Sequence, residues 1–102
     1  MESYTQEPKY KKYVSSMEKA LNLFSSVHEW ADFISFLSKL AKTLTHYDYP
    51  TVPCRLVLCK RLAQCLNPNL PPGVHLKTLE IYELIFSRIS VHFYLTLERR
   101  PN

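Results

Sequence analysis

The sequence predicts an all-α fold, a four-helix array of two αα-hairpins, and three observations carry that expectation. Apolar residues recur at the three-and-four spacing of a helix face over four separate stretches. A single glycine among 102 residues leaves little material for a turn-dense β fold. Prolines do the punctuating instead, most clearly at Asn67-Pro68 and Pro71-Pro72-Gly73. At this length the chain makes one domain at most. Its apolar share of 46% and charged share of 22% are those of a folding chain, not a disordered one. The net charge of +4 is mildly basic, compatible with an anionic surface nearby and too small to establish one.

Residues 1–8 read as a flexible leader, 9–90 as a helical domain and 91–102 as a divergent tail. Helix one is expected from about Pro8, which suits a first turn, to about Phe24. Tyr10, Tyr13, Val14, Met17, Ala20, Leu21 and Phe24 form its stripe. Lys9, Lys11 and Lys12 crowd its first turn, the end where cations oppose the helix dipole.

Ser26-Val27-His28-Glu29 fits a capping box, so helix two is expected to start after Ser26 and run to about Leu44. Val27, Trp30, Ile34, Leu37, Ala41 and Leu44 make its stripe, widened by Phe33, Phe36 and Leu40. Trp30 is accordingly expected to be buried. Asp32 near the start and Lys39 and Lys42 near the end match the dipole. A stripe this wide calls for packing on more than one side.

Residues 45–53 form a loop with two prolines, and Thr51 is a candidate cap for helix three. Helix three is expected to show Leu56, Cys59, Leu62, Ala63 and Leu66 on its apolar face. Helix four, from about Val74 to Ile89, shows Val74, Thr78, Ile81, Tyr82, Ile85 and Ile89. The short turn between them makes the two helices antiparallel neighbours. That fold-back sets Cys59 against Ile81 and Lys60 against Glu80, with Arg61 and Glu83 beside them as a second rim pair. The pattern fails beyond Ile89, where the residues either prolong helix four or form an apolar tail. Two helical pairs of this size look like HEAT or armadillo units, the start of an α-solenoid. Such arrays need about three repeats, so helices two and four offer more apolar surface than one stacking covers. Val91, Phe93, Tyr94, Leu95 and Leu97 are the residues at hand to cover helix four.

Nothing in the chain is arranged for catalysis. His28, His46, His75 and His92 are scattered, and Cys54, Cys59 and Cys65 have no zinc-ligand spacing. The cysteines read as small buried hydrophobes. One glycine cannot build a phosphate loop, and Glu80 and Glu83 read as a solvated or ion-paired face. No catalytic residue, metal or cofactor is expected. No signal-peptide core or membrane-length apolar run is visible. Nucleic acid is not expected either, because no helix is rich in Arg, Asn or Gln.

Two long strings carry a family resemblance. YVSSMEKALNLFSSVHEWADFISFLSKLAKTL (13–44) and KRLAQCLNPNLPPGVHLKTLEIYELIF (60–86) closely resemble the N-terminal region of the Dopey family. The resemblance implies very large cytosolic proteins with α-solenoid N-terminal regions, peripheral on Golgi and endosomal membranes and active in vesicle traffic. It implies as partners an Arf-exchange-factor-like Golgi scaffold and an aminophospholipid flippase, with a kinesin motor for some members. The chain is then expected to be a fragment, a truncated product or a short divergent copy. Pro72 stands where the family carries a small hydroxyl residue, so helix four should lack a side-chain cap. The function expected is a non-catalytic scaffold or adaptor acting by protein–protein interaction. The alternative is a peripheral module touching anionic lipid through Lys9, Lys11, Lys12, Lys60 and Arg61.

Overall fold

A computed structural model describes residues 3–98, with side chains to residue 91. Pro8 sits in the first turn of α1 (Pro8–Asn22), where its missing N–H costs nothing. A 3-10 turn, Leu23–Ser26, leads into α2 (Trp30–His46). Loop 47–54 joins α2 to α3 (Arg55–Cys65), and the proline turn joins α3 to α4 (Pro72–Glu98). The stretch left open beyond Ile89 is helix through residue 98, so the boundary expected at residue 90 falls inside α4. Of the expected cover, Val91 is 57% exposed, while Phe93, Tyr94, Leu95 and Leu97 lie outside the described side chains.

The four helices pack as two hairpins side by side. Ser16 Oγ lies 3.5 Å from Tyr47 OH, and Phe24 packs edge-on against Phe33 and Phe36, so α1 and α2 run antiparallel. Cys65 meets Thr78, and Cys59 shares a groove with Tyr82, so α3 and α4 fold back as expected. Between hairpins the directions agree. Ala41 borders a cleft with Leu84, and the Arg88 guanidinium donates to the Tyr47 carbonyl at 2.9 Å, so α2 and α4 run parallel. Arg61 lies over the Phe24 ring at 4.7 Å, near the far end of α1. This all-α order is compatible with the start of a solenoid.

One core serves both hairpins: Tyr13, Met17, Ala20, Leu21, Phe36, Leu37, Leu40, Leu44, Leu58, Leu62, Cys65, Val74 and Ile81. Burying side chains of this size contributes roughly 1.5–3 kcal/mol each against the entropy of ordering the chain. A second joint is made of tyrosines. Tyr4, Tyr10, Tyr13, Tyr47 and Tyr49 stack or meet edge-on at 5.0–5.8 Å. The Tyr13 hydroxyl donates to the Thr51 carbonyl at 3.1 Å, while Tyr4 and Tyr10 bond the Thr51 hydroxyl.

Several expectations are corrected. Within the stretch read as a leader, Ser3–Gln6 is a 3-10 turn and Tyr4 stacks on Tyr49. Thr51 belongs to the tyrosine joint and caps nothing. Helix α2 starts three residues later than expected, because Glu29 and Asp32 form the capping box in place of Ser26 and Glu29. Trp30 becomes the first helical residue and is 62% exposed. The face of α3 is also shifted: Leu58, Leu62 and Cys65 are buried, while Leu56 is 86% exposed and Cys59 and Ala63 face solvent. Cys65 alone of the three cysteines is the buried hydrophobe expected. Cys54 holds a left-handed backbone, φ 58°, at the entry to α3, a conformation costing a non-glycine residue about 1–2 kcal/mol. Helix α4 opens on the Pro71 carbonyl, which accepts from the Val74 and His75 amides. Neither Pro71 nor Pro72 has a side-chain acceptor, in line with the uncapped start expected.

Candidate functional site

Two surfaces stand out, at opposite ends of the array. The first lies on the free side of α1/α2. Ser16 and Lys19 from α1 meet Lys39, Lys42, Thr43, His46 and Tyr47 from α2 around a cleft of about 390 Å³. The antiparallel packing that sets Ser16 beside Tyr47 also sets Lys19 beside Thr43. The Thr43 hydroxyl is turned inward and bonds the Lys39 carbonyl at 3.0 Å, leaving the lysines as the charged rim. No carboxylate lines this cleft. Among the described residues the ion pair found is elsewhere, Lys77 with Glu80 at 3.5 Å.

The residues proposed from sequence as lipid or partner contacts divide between separate places. Lys9, Lys12, Ser16 and Lys19 follow helical spacing along one edge of α1, so Lys9 and Lys12 extend the rim of the basic cleft. Lys11 lies about half a turn round the same helix. Lys60 is exposed on α3. Arg61 is partly buried: its guanidinium covers the Phe24 ring, donates to Gln64 at 3.0 Å, and keeps a buried Nε without a partner. Phe24 is twelve residues beyond Lys12, about 18 Å along the helix, so Arg61 and the three lysines do not form one patch. The expected rim pair of Lys60 with Glu80 is not made. Glu80 and Glu83 point to the α2 side of α4, where they line a cleft with Ala41, and Lys77 takes the Glu80 partner role. Lys19, Lys39 and Lys42 were missed because they come from two helices. Their sequence signal was the shared face of Lys39, Lys42 and His46.

The second surface is apolar and lies on the free side of α3/α4. Leu58, Cys59, Tyr82, Ile85, Phe86 and Ile89 border a groove of about 370 Å³, closed at one end by Pro50 to Val52. Phe86 is 62% exposed and Ile89 47%. Burial raises the hydroxyl pKa of Tyr82, so this phenol stays neutral well above physiological pH. Cys65 below it is pushed up to about 11, mainly by burial, and is an inert thiol. Apart from one cation, Arg55, the groove is apolar and aromatic, which suits another protein surface better than a charged ligand.

Among the described residues, no group of three or more His, Cys, Asp or Glu side chains is placed to hold a metal ion. No described helix is long and apolar enough to cross a membrane.

The family model described as "Dopey, N-terminal" matches residues 7–97. Protein dop1 of Emericella nidulans is 51% identical over 91 residues, covering 86% of this chain and 5% of that protein. Protein DOP1B of Mus musculus is 57% identical over 83 residues, 80% of this chain and 4% of its own length. Protein pad-1 of Caenorhabditis elegans is 47% identical over 81 residues, 78% of this chain and 3% of its own. The chain thus spans about a twentieth or less of these relatives. No solved structure matches it. With the match running from the end of the 3-10 leader to the last turn of α4, this chain belongs to the Dopey family and corresponds to its N-terminal region.

Proposed function

We propose that this chain is a non-catalytic scaffold module of Golgi–endosome vesicle traffic. It forms the first helical pairs of a HEAT- or armadillo-like solenoid and acts by protein–protein contact. The observation that carries this reading is the uncovered apolar face of α3/α4 in a member of the Dopey family. Its partners are, by family, an Arf-exchange-factor-like scaffold, an aminophospholipid flippase and a kinesin. The test is proximity labelling from the tagged chain in cells. Enrichment of Golgi and endosomal membrane proteins over a cytosolic control is expected, and labelling indistinguishable from the control would remove the reading.

A second reading is favoured by one specific observation, the basic cleft with no carboxylate. There the module touches anionic membrane through the α1/α2 end. Each lysine near such a surface contributes about 1 kcal/mol. Liposome binding should then rise with anionic lipid and fall with salt. It should weaken more in Lys39→Glu/Lys42→Glu than in Lys11→Glu, because Lys11 stands off the cleft edge. Equal binding by both variants would sink this reading.

A further inference from the structure

We propose that the furrow between the parallel helices α2 and α4 docks a basic amphipathic helix of a partner protein. This surface is separate from the α3/α4 face, and its occupancy is read on the purified chain, apart from any cellular partner.

The layering of the helices leaves the furrow open. Helix α2 packs on α4 and α1 on α3, so α2 and α4 form one layer with a furrow on its outer side. It runs along the junction of the two hairpins, side-on to the direction of stacking. A further helical pair docking on α3/α4 would therefore leave it exposed. Helical spacing supplies the two walls. Trp30, Ile34 and Ala41 share one face of α2, and Leu76, Glu80, Glu83 and Ser87 share one face of α4. The small Ala41 side chain leaves a cleft of about 360 Å³ against Glu80, Glu83, Leu84 and Ser87. Leu84 and Ser87 also border a cleft of about 440 Å³ with Asp48 and Val91, so the two clefts are continuous.

Charge, anchorage and shape together fix the chemistry of the occupant. The furrow is lined by the carboxylates Asp48, Glu80 and Glu83, and its lining cation, Arg88, is turned onto the Tyr47 carbonyl at 2.9 Å. Lys77 holds Glu80 at 3.5 Å from one turn away. Among the described residues Glu83 and Asp48 have no ion-pair partner, so two carboxylates are left for an incoming cation. Because Ala41 lies beside Leu84, Trp30 comes level with the first turn of α4, about one turn from Leu76. These two apolar side chains are 62% and 64% exposed at the same end of the furrow. A Cβ placed on Gly73 would meet nothing within 4 Å, so that end is open. Two parallel helices present a trough that takes a third helix, and the described residues offer no strand edge to an extended chain. From Gly73 to Val91 the trough is about 27 Å long, room for a helix of about 18 residues. Its apolar ridge lies over Ile34, Ala41 and Leu84. Lys or Arg on one flank faces Glu83 and, about 12 Å further on, Asp48. Half-wrapped by the walls, such a helix buries roughly 400 Å² a side, the area of a transient contact. A dissociation constant of about 10–100 μM follows.

The test uses a Leu/Lys peptide of about 18 residues patterned as an amphipathic helix. It is compared with a Leu/Glu peptide of the same pattern and a scrambled Leu/Lys peptide. Trp30 is the only tryptophan of the chain and the peptides carry none, so its emission reads docking directly. A saturable blue shift with the patterned Leu/Lys peptide alone is expected. The chain's net charge of +4 favours the opposite order, so preference for the cationic peptide reports the furrow and not bulk attraction. Glu83→Lys should weaken binding at least about tenfold, and added salt should weaken it too. Phe86→Glu on the α3/α4 face should leave it unchanged. Both positions are exposed, and far-UV circular dichroism checks that the variants stay helical. Absence of a blue shift, an equal response to the Leu/Glu or scrambled peptide, indifference to Glu83→Lys, or loss of binding in Phe86→Glu overturns the proposal.

Discussion

Hairpin α1/α2 turns Lys19, Lys39 and Lys42 to its free side, whereas hairpin α3/α4 turns Leu56, Cys59, Phe86 and Ile89 to its own. Both share one core, so the difference lies only in what each leaves uncovered. Stacked helical pairs bury their apolar faces against neighbours, and a terminal pair needs a polar outer face to stay soluble. The α1/α2 end meets that requirement and the α3/α4 end does not. The array therefore has a direction, set by which residues occupy the outer positions of two otherwise similar hairpins. Helix α3 shows this within eleven residues. It carries one apolar stripe, Leu58, Leu62 and Cys65, for the core and a second, Leu56, Cys59 and Ala63, for something else.

The largest effect expected would test whether the two hairpins form one cooperative unit. Phe36→Ala in the first should cost about 3–5 kcal/mol and Ile81→Ala in the second about 2–5, out of the roughly 5–15 available to a domain. Both are fully or almost fully buried in the common core. Each should shift one thermal transition as a whole. Two separable transitions, only one moving with each variant, would show independent hairpins and dissolve the comparison. Trp30→Ala is the control: at 62% exposure it should change stability by about 1 kcal/mol or less. Native tryptophan emission should be close to that of an exposed indole.

The difference between the ends can also be removed by design. Lys39→Leu/Lys42→Leu gives the α1/α2 end an apolar rim beside Ile34, which already borders Lys39 and Lys42. With both ends apolar, end-to-end association should become open-ended growth, seen as aggregates by light scattering. A double leucine variant with the wild-type oligomeric state would mean that the lysines do not set the direction.

Alkaline pH weighs on the joint and on the second hairpin. Cys65 is held near 11 by burial, and the Tyr13 hydroxyl is also raised, burial outweighing the nearby Arg88 cation. Raised acids keep their protons longer in the folded chain than in the unfolded one. Between the unfolded thiol value of 9.0 and about 11 the native state binds more proton, so rising pH favours unfolding. The stabilisation is complete below pH 9 and is lost as pH climbs toward 11. Cys65→Ala should flatten the part of that fall due to the thiol, measured as melting temperature against pH. An unchanged slope would mean that the thiol is not desolvated.

Much of this was legible because it is local. Pro8 marks the start of α1, the proline turn marks the α3/α4 fold-back, and three-and-four spacing finds every helix. What failed depended on choosing between two locally good solutions. Ser26-Glu29 and Glu29-Asp32 both resemble capping boxes three residues apart, and the second wins because the 3-10 turn uses up Ser26. That shift carried Trp30 from an expected core position to the exposed first turn. On α3, two apolar stripes gave the same periodicity, and only the neighbours decide which is covered. The basic cleft needed Lys19 to meet Lys39 and Lys42 across antiparallel helices, a tertiary fact. Nothing local marked Cys54 for a left-handed backbone.

The smallest effect expected separates the hairpins by how their second helices begin. In α2 the Asp32 carboxylate accepts from the His28 and Glu29 amides, each at 3.0 Å, and these bonds hold its pKa below 3.8. A depressed carboxylate stabilises the fold above its ordinary value and loses that contribution as pH falls through the lowered one. Acidification below about pH 4 should therefore loosen the start of α2. Asp32→Ala should lower the melting temperature by a few degrees at neutral pH and remove that portion of the acid dependence. Helix α4 starts on Pro71-Pro72 with no side-chain acceptor, so its first amides are satisfied less well. Pro71→Ser supplies a cap there and should raise stability by about 0.5–1 kcal/mol, less the stiffness lost with the proline. Equal responses of the two helix starts to cap removal and cap addition would show that their different openings carry no energetic weight. A gain at α4 with a loss at α2 would place the weaker helix start in the hairpin whose outer face is also left uncovered.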